Sequence, residues 1–206
     1  MKSIFNPDGA VVRFLGRIAE LMALNLCFLV GCIPVFTVGA SITALYGALF
    51  RQEGDGAFRR FFREYRRNFW QGTALGLILG AAGVVLVLDY QLLGQMEGYA
   101  LIKYVLYLAG LCWLGIAATA FGLAARYEDS LGRILKNAFL LSFSALSRTV
   151  LLVVIDTLPL LLLLLEPDWF GRTFILWLLL GFALCARLKV WVLKDIFSII
   201  PKQENH

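Results

Sequence analysis

Residues 59–67 carry five arginines, Arg59, Arg60, Arg63, Arg66 and Arg67. Guanidinium groups at that density recognise anions, so the stretch suits nucleic acid, an anionic lipid surface or an acidic partner protein. A second ionic feature is Asp156, set eight residues inside an apolar run, with Arg187 at the end of another. A third is polar and uncharged: Asn25, Thr37, Ser41, Thr43 and Tyr46 gather around Pro34. Catalytic groups are scarce by comparison. The single histidine is His206, the last residue, so a Ser-His-Asp triad, histidine acid-base catalysis and histidine metal ligation have no source. The sequence has no Walker A phosphate loop. Cys27, Cys32, Cys112 and Cys185 lie in apolar runs without a CxxC pair and read as small buried residues. No enzyme activity, cofactor or metal is expected.

The elements that must position these groups are membrane helices. The chain has 206 residues, is 60% hydrophobic and only 16% charged, and has a mean hydropathy of +0.79. A soluble domain carries about 25% charged residues. Nearly charge-free runs long enough for the ~20 residues of a span extend over 20–51, 67–89, 103–126 and 148–166, and a shorter one follows Arg172. The opening residues, MKSIFNPDGAVVRF, lack the basic-then-apolar order of a cleaved signal peptide. Segment 21–50 is too long for one ordinary span and is interrupted by Gly31, Pro34 and Gly39, so it is expected to fold back as a hairpin, fully spanning or re-entrant; a single bent span is the alternative. With the hairpin, seventeen of the nineteen basic residues fall on one side, and the positive-inside rule makes that side cytoplasmic, termini included. A single bent span divides them fourteen to five.

On a helix, Phe58, Phe61, Phe62, Tyr65 and Phe69 form one apolar face, with the five arginines on the flanks and back. That pattern predicts an interfacial amphipathic helix over 57–70, its rings in the acyl boundary and its arginines on anionic phospholipids, rather than a nucleic-acid site. Gly72, Gly76 and Gly80 make one small-residue stripe, and Gly39, Thr43 and Gly47 make another, as expected of close helix packing. Depth arithmetic places Asp156 and Arg187 about 12 and 9 Å from the inner boundary, which predicts an ion pair between the last two helices.

The motifs FNPDG, LNLCFLVGCIPVFTVGASITALYGALF and FFREYRRNFWQG resemble those of the YesL-like family of bacterial integral membrane proteins. The resemblance covers roughly the first 80 residues; Pro34, Thr37, Gly39, Ala40, Ser41, Ala44, Leu45 and Tyr46 are its most distinctive part. It implies a bacterial cytoplasmic membrane and a link to carbohydrate uptake, and it carries no catalytic residues across. The expected fold is an all-α polytopic bundle in a single domain. It consists of a broken hairpin over 14–50, the interfacial helix over 57–70, and transmembrane helices over 71–93, 103–125, 149–165 and 172–193. The expected role is accessory or regulatory, on a carbohydrate transporter or membrane sensor; a small transporter or channel is the alternative.

Overall fold

A computed structural model of the chain describes residues 10–51, 56–94 and 100–197. The described residues are helical almost throughout and contain no strand. Helix α1 (Ala10–Gly31) is followed by a short 3₁₀ turn (Val35–Thr37) and α2 (Val38–Phe50). Then come α3 (Ala57–Gly94), α4 (Ala100–Arg126), α5 (Leu131–Ser144) and α6 (Leu146–Leu165). The last element is a continuous rod of α7 (Pro167–Leu176), a π-helix (Trp177–Gly181) and α8 (Phe182–Phe197). Five stretches are long and apolar enough to cross a membrane: Val11–Gly31, Ala57–Leu93, Leu101–Arg126, Leu146–Leu165 and Pro167–Phe197. The protein is an all-α polytopic membrane bundle.

The expected hairpin is present, and its break is where Gly31 and Pro34 stand. Proline at 34 cannot donate to Val30, whose carbonyl instead accepts from the Ile33 N–H at 3.2 Å. The Thr37 hydroxyl closes the turn on the Gly31 and Pro34 carbonyls at 2.8 and 2.7 Å. The apex thereby hides its polar backbone while presenting Ile33, Val35 and Phe36 outward, as suits backbone lying among apolar neighbours. Its two arms are unequal. The 13 residues of α2 rise about 20 Å, whereas the 22 residues of α1 rise about 33 Å.

Register shows how far the hairpin reaches. A Cβ on Gly39 would lie 2.8 Å from the Gly76 Cα and would strike the Gly72 carbonyl, while one on Gly47 would lie 2.7 Å from a Glu64 carboxylate oxygen. Thus α2 runs antiparallel to α3 from Glu64 to Gly76, and α3 continues for 18 more residues, about 27 Å, beyond the apex. The apex of the hairpin therefore stops well short of the far end of α3. Helix α1 satisfies the length of a span, but Glu20 pairs with Arg60 near the start of α3, so its residues 11–17 project past the bundle and are exposed. The two small-residue stripes face each other, as internal packing requires. Gly80 is the exception, with nothing near its missing Cβ.

Three boundaries differ from expectation. The segment over 57–70 is no separate interfacial helix, because α3 runs unbroken through residue 70. Its apolar face is spent inside the protein: Phe61 is fully buried and Tyr65 half-buried against α1 and α2. Only its edge, Phe58 and Phe62, remains exposed. The segment 126–148, read as a loop, contains α5, which packs Ile134, Ala138 and Leu141 onto α4 and meets α6 at a single non-helical residue, Ala145. The final helix is longer than 172–193 and holds a π-turn that no residue pattern announced.

The α2–α3 contact should be intolerant of volume at one end only. Gly39→Val should lower stability by about 3 kcal/mol or more, since backbone rather than a flexible side chain occupies the space. Gly80→Ala should be nearly neutral. Thermal unfolding of both variants in detergent measures the difference, and equal effects would contradict the register.

Candidate functional site

Along α8 the inward positions are Ala183, Ala186, Lys189, Val190, Leu193 and Ile196. Helical spacing therefore carries one lysine into the bundle. The Lys189 side chain is 5% exposed, its Nζ lies 2.5 Å from Asp156 Oδ1, and it sits 5.0 Å from the centre of the Tyr46 ring. An ammonium buried this deeply is tolerable only with a counter-charge, and the ring face adds a further attraction. Asp156 is the partner, but on α6 it stays at the bundle's edge with its side chain 40% exposed. Pro159, inside the same helix, removes the N–H that would normally serve the Ile155 carbonyl, so the carboxylate lies beside a locally loosened turn.

The expected partner of Asp156 was Arg187, and that pair does not form. Both basic residues lie at compatible depth, but Arg187 is off the inward face of α8 while Lys189 is on it. Position along the helix does not fix the phase of a side chain about its axis. The three residues Tyr46, Asp156 and Lys189 join the hairpin, α6 and α8 in one centre able to hold a proton or order an ion. Among the described residues no three His, Cys, Asp or Glu side chains are grouped to hold a metal.

A second centre lies between α1 and the π-helix. Widening of a helix to π spacing releases backbone groups from their usual partners, and buried Asn25 supplies replacements. Its amide nitrogen donates to the carbonyls of Trp177 at 3.1 Å and Leu178 at 2.7 Å, and its oxygen accepts from the Ala183 N–H at 2.8 Å. Gly181 is required beside it, because a Cβ there would meet the Trp177 ring.

The arginine cluster divides in two. Arg60 is buried and bonded to Glu20, and Arg67 reaches Glu64 at 2.6 Å and the Ala125 carbonyl at 3.3 Å. Arg59, Arg63 and Arg66 remain on the exposed side of α3. The residue that organises this end is Glu64, whose side chain is 1% exposed and which also binds Arg51 at 2.9 Å. Asn68 donates to the Glu64 backbone carbonyl at 3.1 Å. Glu64 was overlooked in the sequence because arginines surround it; the available signal was its place on the helix face of Phe61 and Asn68.

Residues 21–90 match the family described as "Protein of unknown function, DUF624". The match takes in the hairpin and most of α3, hence Asn25, Tyr46, Arg51 and Glu64, but neither Asp156 nor Lys189. No curated protein and no solved structure matches the chain.

The remaining polar candidates do not form one pocket. Thr37 ties the apex turn, and Thr43 bonds back to the Gly39 carbonyl at 2.8 Å while facing Gly72. The Ser41 hydroxyl is buried without a hydrogen-bond partner, against Gly31.

Two outcomes follow for stability in detergent. Asp156→Asn should be strongly destabilising, by up to about 3–5 kcal/mol, because it strands Lys189, and Lys189→Met added to it should recover part of the loss. Arg187→Gln should change little; a loss equal to that of Asp156→Asn would contradict the pairing. Asn25→Leu should cost about 1–3 kcal/mol for the Ala183 N–H alone, with faster hydrogen exchange confined to the π-helix as its distinguishing readout.

Proposed function

We propose that this chain is a non-enzymatic accessory protein of the bacterial cytoplasmic membrane that docks within the bilayer on an assembly serving carbohydrate uptake, either a sugar permease or a membrane sensor. The docking reading is carried by Asp156. It is an ionisable group, 40% exposed, on a helix whose buried residues are Thr149 and Leu152. Such a group within a span ordinarily faces a protein interior, and a partner helix laid over α6 would provide one. The carbohydrate link rests on the resemblance to the YesL-like family over the hairpin and α3.

The open groove between the hairpin apex, α3 and α4 supports the same reading. It measures ≈ 230 Å³ and is lined by apolar groups such as Val35, Phe36, Trp113 and Phe121, so it suits an acyl chain or a helix better than a sugar. A transporter or channel remains the second reading, favoured by the π-helix and broken hairpin meeting at Asn25, since interrupted helices build the sites of many transporters. Termini on the cytoplasmic side, with Arg59, Arg63 and Arg66 toward anionic headgroups, complete the proposal.

In whole cells, thiols introduced at residues 8 and 203 should resist an impermeant reagent that labels one at residue 168; labelling at residue 8 would overturn the orientation. A photo-crosslinker at residue 160 of α6 should capture a subunit of a sugar permease or sensor, and Asp156→Asn should abolish that capture. Solute flux in liposomes containing the purified chain alone, lost in Asp156→Asn, would replace the accessory reading with the transporter.

A further inference from the structure

The ends of α2, α3 and α4 near Glu64 hold more positive charge than they neutralise. Arg51 and Arg67 share the one buried carboxylate of Glu64, yet their side chains are 43% and 30% exposed. Arg126, the last residue of α4, makes no ion pair among the described residues. Its guanidinium instead lies over three rings, 5.3 Å from the centre of Phe197, 5.7 Å from Tyr127 and 5.9 Å from Phe50. The three arginines are linked by position: Phe50 precedes Arg51 and packs by Arg126, while Ala125 precedes Arg126 and accepts from Arg67.

Charge accounting narrows what would bind. Among the described residues two guanidinium groups face the Glu64 carboxylate and a third, that of Arg126, stacks on Phe50 beside Arg51, and the C-terminal ends of α2 and α4 each contribute roughly half a negative charge. About one positive charge is left, together with guanidinium N–H donors that Glu64 does not use. Asp129 is paired with Arg133, Glu128 is exposed, and Glu53 and Asp55 lie outside the described residues. Stacking on rings fixes the plane of Arg126 without occupying the edge that carries its donors.

We propose that Arg51, Arg67 and Arg126 form a binding site for a phosphate group of single negative charge, such as the phosphodiester of an anionic lipid headgroup at the inner boundary of the spans. Guanidinium groups carried on adjoining helix ends suit the several oxygens of a phosphate, and the rings beneath Arg126 offer apolar surface next to them. The site is independent of the accessory reading, because it concerns residues at the end of the bundle rather than the α6 face.

The test uses the full chain in neutral detergent, with native mass spectrometry giving affinities for short-chain phosphatidylglycerol and for phosphatidylcholine of the same chain length. Thermal unfolding with inorganic phosphate against chloride at equal ionic strength forms a second arm. Phosphatidylglycerol should bind more tightly than phosphatidylcholine. Arg126→Gln should weaken it about fivefold, the equivalent of about 1 kcal/mol for one basic group. Arg126→Lys keeps the charge but not the stacked planar fork and should retain only part of the affinity, and Arg133→Gln, which removes a charge elsewhere, should leave it unchanged. Stabilisation by inorganic phosphate would identify a free anion as the source, and its absence would identify the lipid headgroup. Equal binding of the two lipids with no effect of phosphate would overturn the site. Equal losses in Arg126→Gln and Arg133→Gln would do so by reducing it to diffuse charge, as would undiminished binding in Arg126→Lys, by showing that a positive charge alone suffices.

Discussion

At Gly39 the backbone of α2 lies directly against the backbone of α3 at Gly72 and Gly76, and the placement of α2 on α3 depends on that contact. Lipid offers helices no hydrophobic drive to associate, so close backbone approach must supply the attraction through dispersion and weak polar contacts. It also sets a register. With Gly39 opposite Gly76, antiparallel geometry carries Gly47 to Glu64 and Arg51 to the same carboxylate. The buried charge is then met where the chain leaves α2, and the hairpin is held at both ends.

That register explains why buried ions are tolerated. Glu64 is shielded from water but faces two arginines and Asn68, and Lys189 is shielded but faces Asp156 and the ring of Tyr46. The two centres meet α2 at neighbouring positions, Tyr46 under Lys189 and Gly47 against Glu64. A shift of α2 along α3 would take Arg51 from Glu64 and the Tyr46 ring from Lys189 together, while the Glu64–Arg67 and Lys189–Asp156 pairs do not involve α2. The ionic groups contribute less to net stability than to choosing one packing among several apolar alternatives.

The centres differ in how complete they are. Asn25 satisfies the π-helix within the chain, and Glu64 is enclosed. Asp156 alone combines an ionic bond with substantial exposure on a sparsely packed helix. Accessory docking and solute coupling both draw on that incompleteness, and they differ in what completes it: a second protein's helix, or an ion and its water.

Periodicity and composition determined the membrane class, the helical architecture, the broken hairpin and the inward stripes of glycine, because each depends on short-range spacing along one helix or on transfer of apolar residues from water. The division of the arginines was not legible. Arg60 and Arg66 have the same chemistry and similar surroundings in sequence, and only the neighbouring Glu20 and the covering of Phe61 by α1 and α2 separate a buried guanidinium from an exposed one. Likewise, depth along α8 pointed to Arg187, whereas rotation of the helix about its own axis turns Lys189 to Asp156, and that is set by packing of Ala183, Ala186 and Leu193 against the rest of the bundle. The π-helix required the opposing side chain of Asn25, 152 residues away in sequence from the carbonyl it binds first. Local spacing reveals which face of a helix is apolar, but the partner of a charge or a released carbonyl is a long-range property, decided only when the helices are brought together.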